Sequence, residues 1–158
     1  MIQPAQIPAM LALCGALLSA CEGNARMPRG EQTVGGITIY LGVVPAEIVQ
    51  GHPVAPGDPQ ALHGGTPAGR NSHHVVVALF DAKTGARITD ARVAAGFGGR
   101  VRGHQPLRDL EPMEINGKMS YGGFFLLRET GGLQVHLEIR RDPKARPVTA
   151  AFAYDHLP

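Results

Sequence analysis

Apolar residues recur at every second position over several stretches of this chain, the period of a half-buried strand. In ITIYLGVV (37–44), Ile37, Ile39, Leu41 and Val43 fall in phase. In LQVHLEIRR (133–141), Leu133, Val135, Leu137 and Ile139 form one face, and Gln134, His136, Glu138 and Arg140 form a solvated face. In VTAAFAYDH (148–156), His156 falls in phase with Val148, Ala150, Phe152 and Tyr154 at the strand's exit. HHVVVALF (73–80) is apolar on both faces and reads as a central strand, and DAKTGARITDA (81–91) reads as a connection from it into RVAAGF (92–97). LEPMEI and KMSYGGFFLL flank Asn116-Gly117, a dipeptide that tolerates the positive φ of a two-residue hairpin turn. No helical period and no internal repeat interrupts this pattern.

A tight turn at Asn116-Gly117 pairs Ile115 with Lys118, Glu114 with Met119 and Met113 with Ser120. Opposed residues share a face and successive residues alternate. Met113 and Met119 therefore lie on opposite faces and cannot clamp one ion together. Six to eight short strands separated by turn signals predict an all-β antiparallel sandwich, immunoglobulin-like or cupredoxin-like, over residues 37–158.

Composition narrows the function. The 158 residues suffice for one domain with a real core. Net charge is +2, and aromatics are only 5%, with the arginines scattered. No basic stripe with interleaved aromatics is present, so nucleic acid is not an expected partner. The chain lacks G-x-S-x-G, H-E-x-x-H and P-loop motifs, and its acidic residues lie mostly at turns. GFGGR (96–100) follows a strand without an apparent helix, so it does not read as a phosphate cradle. No enzyme is expected.

AMLALCGALLSA (9–20) is an apolar run of signal-peptide length, shorter than a membrane span. It closes on LSAC, which resembles a bacterial lipobox. The expectation is a leader over 1–20, lipidation of Cys21, and a polar tether over 21–36. The chain would then sit in the periplasm, anchored to the membrane through that lipid. Cys14 lies in the leader, so the mature domain would hold no thiol nucleophile, thiolate metal site or disulfide.

Histidine is the remaining source of chemistry. All seven lie after residue 50. His52 and His63 fall in a long Pro/Gly loop (51–72), and His104 in another (98–109). His73 and His74 are adjacent, so they point to opposite faces of an apolar strand. A backbone carbonyl or a metal ion would satisfy either one.

YLGVV, HHVVVALFDAKTG, and PM followed seven residues later by SYGG resemble the periplasmic iron-uptake family of copper-binding β-sandwich proteins, and related YtkA-like exported sandwich domains. That resemblance covers roughly residues 37–156. It implies a copper site, or a part in iron or copper delivery, with Met113 as the family methionine. His74, or His73 by a shift of one, would be the strand histidine, and His156 a late one. The family's histidine before Tyr-Gly falls on Ser120, and its glutamate two residues after the strand histidine falls on Val76. The rival expectation is a non-metal immunoglobulin-like module that docks an envelope protein.

Overall fold

The computed structural model describes residues 30–46, 48, 71–99 and 103–157. The leader, Cys21, most of the tether, and the loop histidines His52 and His63 lie outside the described residues.

Among the described residues, ten antiparallel strands form two sheets. In chain order they are β1 Glu31–Val34, β2 Ile37–Pro45, β3 Ser72–Asp81, β4 Arg92–Gly99, β5 Gly103–His104, β6 Arg108–Asp109, β7 Glu111–Ile115, β8 Lys118–Leu126, β9 Gly131–Arg140 and β10 Val148–His156. The first sheet runs β1-β2-β3-β8-β7. The second runs β10-β9-β4-β5, with β6 also paired to β4.

The predicted in-phase residues face each other across the sandwich. Ile39, Val75, Val77, Leu79, Tyr121 and Phe125 of the first sheet are buried with Val93, Ala95, Phe97, Val135, Leu137, Ile139 and Phe152 of the second. The Tyr121 hydroxyl accepts from the Ala91 amide at 3.1 Å, which satisfies the polar tip of this core ring.

Two predicted boundaries change. Residues 31–34, placed in the tether by the sequence, form β1 and pair with β2 through Val34↔Ile37. Gly35 and Gly36 carry φ values of +57° and +78°, the geometry of a type I′ hairpin turn. The sandwich therefore includes residues 31–34, ahead of the expected start at 37. The stretch 98–109, expected to be loop, supplies two short edge strands, β5 and β6. These additions take the strand number beyond the expected six to eight.

The turn after β3 rests on Asp81. Its Oδ1 accepts from the amides of Lys83 (3.1 Å) and Thr84 (2.9 Å) and from the Thr84 hydroxyl (3.0 Å). These hydrogen bonds, the Thr84 amide foremost, hold the carboxyl below its usual value. A depressed carboxylate stabilises the fold above its unfolded value and loses that contribution as pH falls through the folded one. Asp81→Ala should therefore lower the melting temperature at pH 7, and the gap to the parent should narrow below about pH 3.8. Thermal melts of both proteins from pH 7 to pH 2.5 check this.

Candidate metal centre

The Asn116-Gly117 turn fixes the geometry of one side of the site. Asn116 has φ +49° and Gly117 has φ +70°, as a type I′ turn requires. The register is Ile115↔Lys118, Glu114↔Met119 and Met113↔Ser120, as the sequence predicts. Met113 and Met119 therefore lie on opposite faces.

Strand β3 supplies the other side. His74 pairs with Phe124 and Val76 pairs with Gly122 on β8. His74, Val76, Phe124, Gly122, Ser120 and Met113 consequently share one face of the first sheet, turned away from the core residues Val75, Val77 and Tyr121. This outer face is nonetheless closed at its centre, since His74 is 2% exposed, Ser120 4% and Met113 7%. The Phe124 ring lies against His74, with centroids 4.7 Å apart, and restrains the imidazole.

His74 and Met113 aim at one point. A Cβ added to Gly122 would collide with Met113 Sδ and would stand 2.9 Å from His74 Nε2. The glycine leaves open the volume where a thioether sulfur and an imidazole nitrogen converge. This pair of donors suits Cu(I): both are uncharged, and the thioether is soft. Ser120 lies directly opposite Met113, where a hydroxyl adds only a hard, weak donor.

The register reveals one residue that sequence reasoning missed. Glu111 pairs with Gly122, so it lies on the same face, on the opposite side of that glycine from Val76. The carboxylate missing at Val76 thus has a counterpart across the row. Its signal in the sequence is its position two residues before Met113, in phase with it.

His73 and His156 do not join this pair. His73 pairs with Phe125, and His156 follows Phe152 and Tyr154 in phase, so both face the interior between the two sheets. They meet there, with ring centroids 4.7 Å apart and planes at 88°. His156 Nδ1 lies 2.6 Å from the Glu129 carbonyl, and His73 Nδ1 lies 3.3 Å from the Asn71 carbonyl. A carbonyl only accepts, so each Nδ1 carries the proton. The expected four-residue set, His74, Met113, His156 and His73, is therefore divided into two pairs by strand parity, with a sheet between them.

The second sheet brings together two further histidines. His136 and His104 have ring centroids 4.6 Å apart on its outer face. Burial, and secondarily the neighbouring His104, hold the His136 imidazole below its usual value. Alternation places His136 correctly on the outer face but predicts it to be solvated. Near His104 its Nε2 is instead buried. Among the described residues no group of three or more His, Cys, Asp or Glu side chains gathers as a metal cluster.

No family model and no curated protein matches the sequence. Solved structures do match in three dimensions. A copper-bound variant of FetP from uropathogenic Escherichia coli strain F11 superposes with a TM-score of 0.58 at 12% identity, over 80% of this chain and 93% of its own. The fold is that of FetP. Copper-reconstituted P19 protein from Campylobacter jejuni gives 0.58 at 12% identity, over 82% of this chain and 94% of its own. A DUF4426 family protein from Pseudomonas aeruginosa PAO1 gives 0.57 at 13% identity, over 81% and 96%. The predicted likeness to copper-binding periplasmic sandwiches thus holds at the level of fold. At such identities a shared fold carries no ligand from one protein to another, so the reading of the site depends on this chain's own residues.

Proposed function

We propose that this protein binds copper in the bacterial envelope, as a metal-handling protein rather than an enzyme, at a soft site made by Met113 Sδ and His74 Nε2. The observation that carries the reading is the convergence of these two donors over Gly122. The copper-bound FetP and P19 neighbours support the choice of metal. Their fold, together with the export-like leader, supports the periplasm. Delivery of copper or iron to a partner is the role such a site would serve. Two protein donors with open positions hold an ion firmly enough to carry it and loosely enough to release it.

The site residues have separate tasks. Met113 contributes polarizable sulfur, and His74 contributes a nitrogen held in place by Phe124. Glu111 lies where its carboxylate would balance the charge of a bound cation. Copper, when bound, would supply the affinity for sulfur and nitrogen. The decisive experiment is anaerobic Cu(I) titration of the purified mature domain against a chromophoric chelator. One tightly held equivalent supports the reading. A protein indifferent to copper supports the non-metal envelope module instead.

Ser120→His should tighten Cu(I) binding, because it places an imidazole opposite Met113 where the related sequence pattern has one. Competition titration of the variant against the parent checks the direction. Weaker or unchanged affinity would show that position 120 does not face the ion.

The tether is part of the same proposal. Cleavage before Cys21 and acylation of its thiol would hold the domain at the membrane surface, where a metal-delivery protein meets its partner. Intact mass of the protein extracted from a bacterial envelope checks this, with a diacylglyceryl or triacyl increment on a chain starting at Cys21. An unmodified Cys21 with residues 1–20 still attached would overturn it.

A further inference from the structure

A second pair of donors stands on the other sheet, away from Met113 and His74. Strand β4 carries Ala94, Gly96 and Gly98 on its outer face, in phase opposite to the core residues Val93, Ala95 and Phe97. His104 of β5 pairs with Gly98, and His136 of β9 pairs with Gly96. Two strands on either side of β4 thus each place an imidazole toward one glycine.

A Cβ added to Gly98 would lie 2.9 Å from His136 Nε2, 2.8 Å from His104 Cδ2 and 3.0 Å from His104 Nε2. Both Nε2 atoms therefore border the same small volume, which exists because residue 98 has no side chain. Two nitrogens that ligate one ion at about 2.0–2.1 Å must stand roughly 3–4 Å apart. Rings with centroids at 4.6 Å reach that separation by small rotations.

His136 Nε2 is buried and has no hydrogen-bond partner among the described residues. A buried imidazole nitrogen is normally paired, and this one borders the small volume that His104 Nε2 also borders. A metal ion shared with His104 would satisfy it when each ring carries its proton on Nδ1, which leaves both Nε2 lone pairs free to ligate.

We propose that His104 and His136 form a second metal site, a two-imidazole site over Gly98 for a divalent first-row cation, with Cu(II) bound most tightly. Nitrogen-only donors with open positions favour Cu(II) over other divalent ions of the row, whereas a thioether favours Cu(I). The two sites thus differ in the oxidation state they select. His136 is the fixed ligand, set within β9, and His104 is the exposed one on a short edge strand.

The test uses the untagged mature protein and Cu(II) as the probe, followed by electron paramagnetic resonance and by competition with glycine. A Met113→Leu background removes the soft site, so failure of one site is separable from failure of the other. The expected result is one bound equivalent in that background, with nitrogen superhyperfine structure from two imidazoles. His104→Ala should lose this equivalent. Its exposure lets the substitution leave the fold intact, and circular dichroism checks that. Gly98→Ala should also lose it, although both ligands remain, because the new methyl occupies the space between the rings. Gly98 is not among the residues with positive φ, so its backbone accepts alanine without strain. Retention of the full Cu(II) equivalent with an unchanged spectrum in either His104→Ala or Gly98→Ala would overturn the proposal. So would a Met113→Leu protein that binds no Cu(II).

Discussion

Replacing Met113 with Leu should cost the protein its Cu(I) site and leave its fold intact. Met113 is 7% exposed, and its sulfur points at the volume over Gly122 that His74 Nε2 also borders. Leu matches its volume, and a swap of this kind in a packed setting usually costs less than about 1.5 kcal/mol. Loss of a directly bonded sulfur should reduce copper affinity by more than the roughly 10–100-fold that follows removal of an outer partner. The two effects separate cleanly. Thermal melting reads the first, and chelator competition reads the second. If affinity stays at the parent value while stability drops, Met113 is only a packing residue and the interaction-module reading moves ahead.

Gly122→Ala should fail on both counts. The added methyl collides with Met113 Sδ and approaches His74 Nε2 at 2.9 Å and the Val75 carbonyl at 3.1 Å. The side chains can move aside, but the Val75 backbone lies in a central strand paired on both sides. Overpacking at such a place costs typically about 1–3 kcal/mol, and copper would be displaced by the methyl itself. Gly123→Ala is the matched control. Its methyl meets Leu110 at 3.2 Å and Phe125 at 3.7 Å on the core side of the same strand. It should lower stability by overpacking while leaving copper affinity near the parent value. Equal copper loss in both variants would mean that general disturbance of β8, and not occupation of the space over Gly122, removes the metal.

Strand parity makes much of this site legible in the amino-acid sequence. The Asn116-Gly117 turn sets the register of a whole hairpin, so the separation of Met113 from Met119 and the pairing of Met113 with Ser120 follow from two residues. The alternation in β2, β9 and β10 likewise picks out Ile39, Val135, Leu137 and Phe152 as core. Where a strand is apolar on both sides, alternation carries no direction. His73 and His74 stand at that point, and only the pairing of β3 with β8 shows that His74 belongs with Met113 and His73 with His156.

Other features have a local signal that is easily passed over. Val34-Gly35-Gly36-Ile37 is as good a hairpin turn as Asn-Gly, because glycine reaches positive φ without strain, and it marks β1. Glu111, in phase with Met113, is a carboxylate on the site's own strand. The meeting of His104 with His136 is not legible. It depends on a two-residue edge strand folding back on β4, a long-range event that leaves no local pattern.

X-ray absorption at the copper edge of the protein loaded with one equivalent of Cu(I) tests the central claim most directly. Sulfur scatters more strongly than nitrogen, and the mature domain would hold no cysteine beyond a lipidated Cys21, so a sulfur shell reports a methionine. The result expected is one sulfur and at least one imidazole in the parent protein, with the sulfur shell absent after Met113→Leu. A first shell of nitrogen and oxygen alone in the parent, unchanged by that substitution, would contradict a copper site built on Met113 and His74.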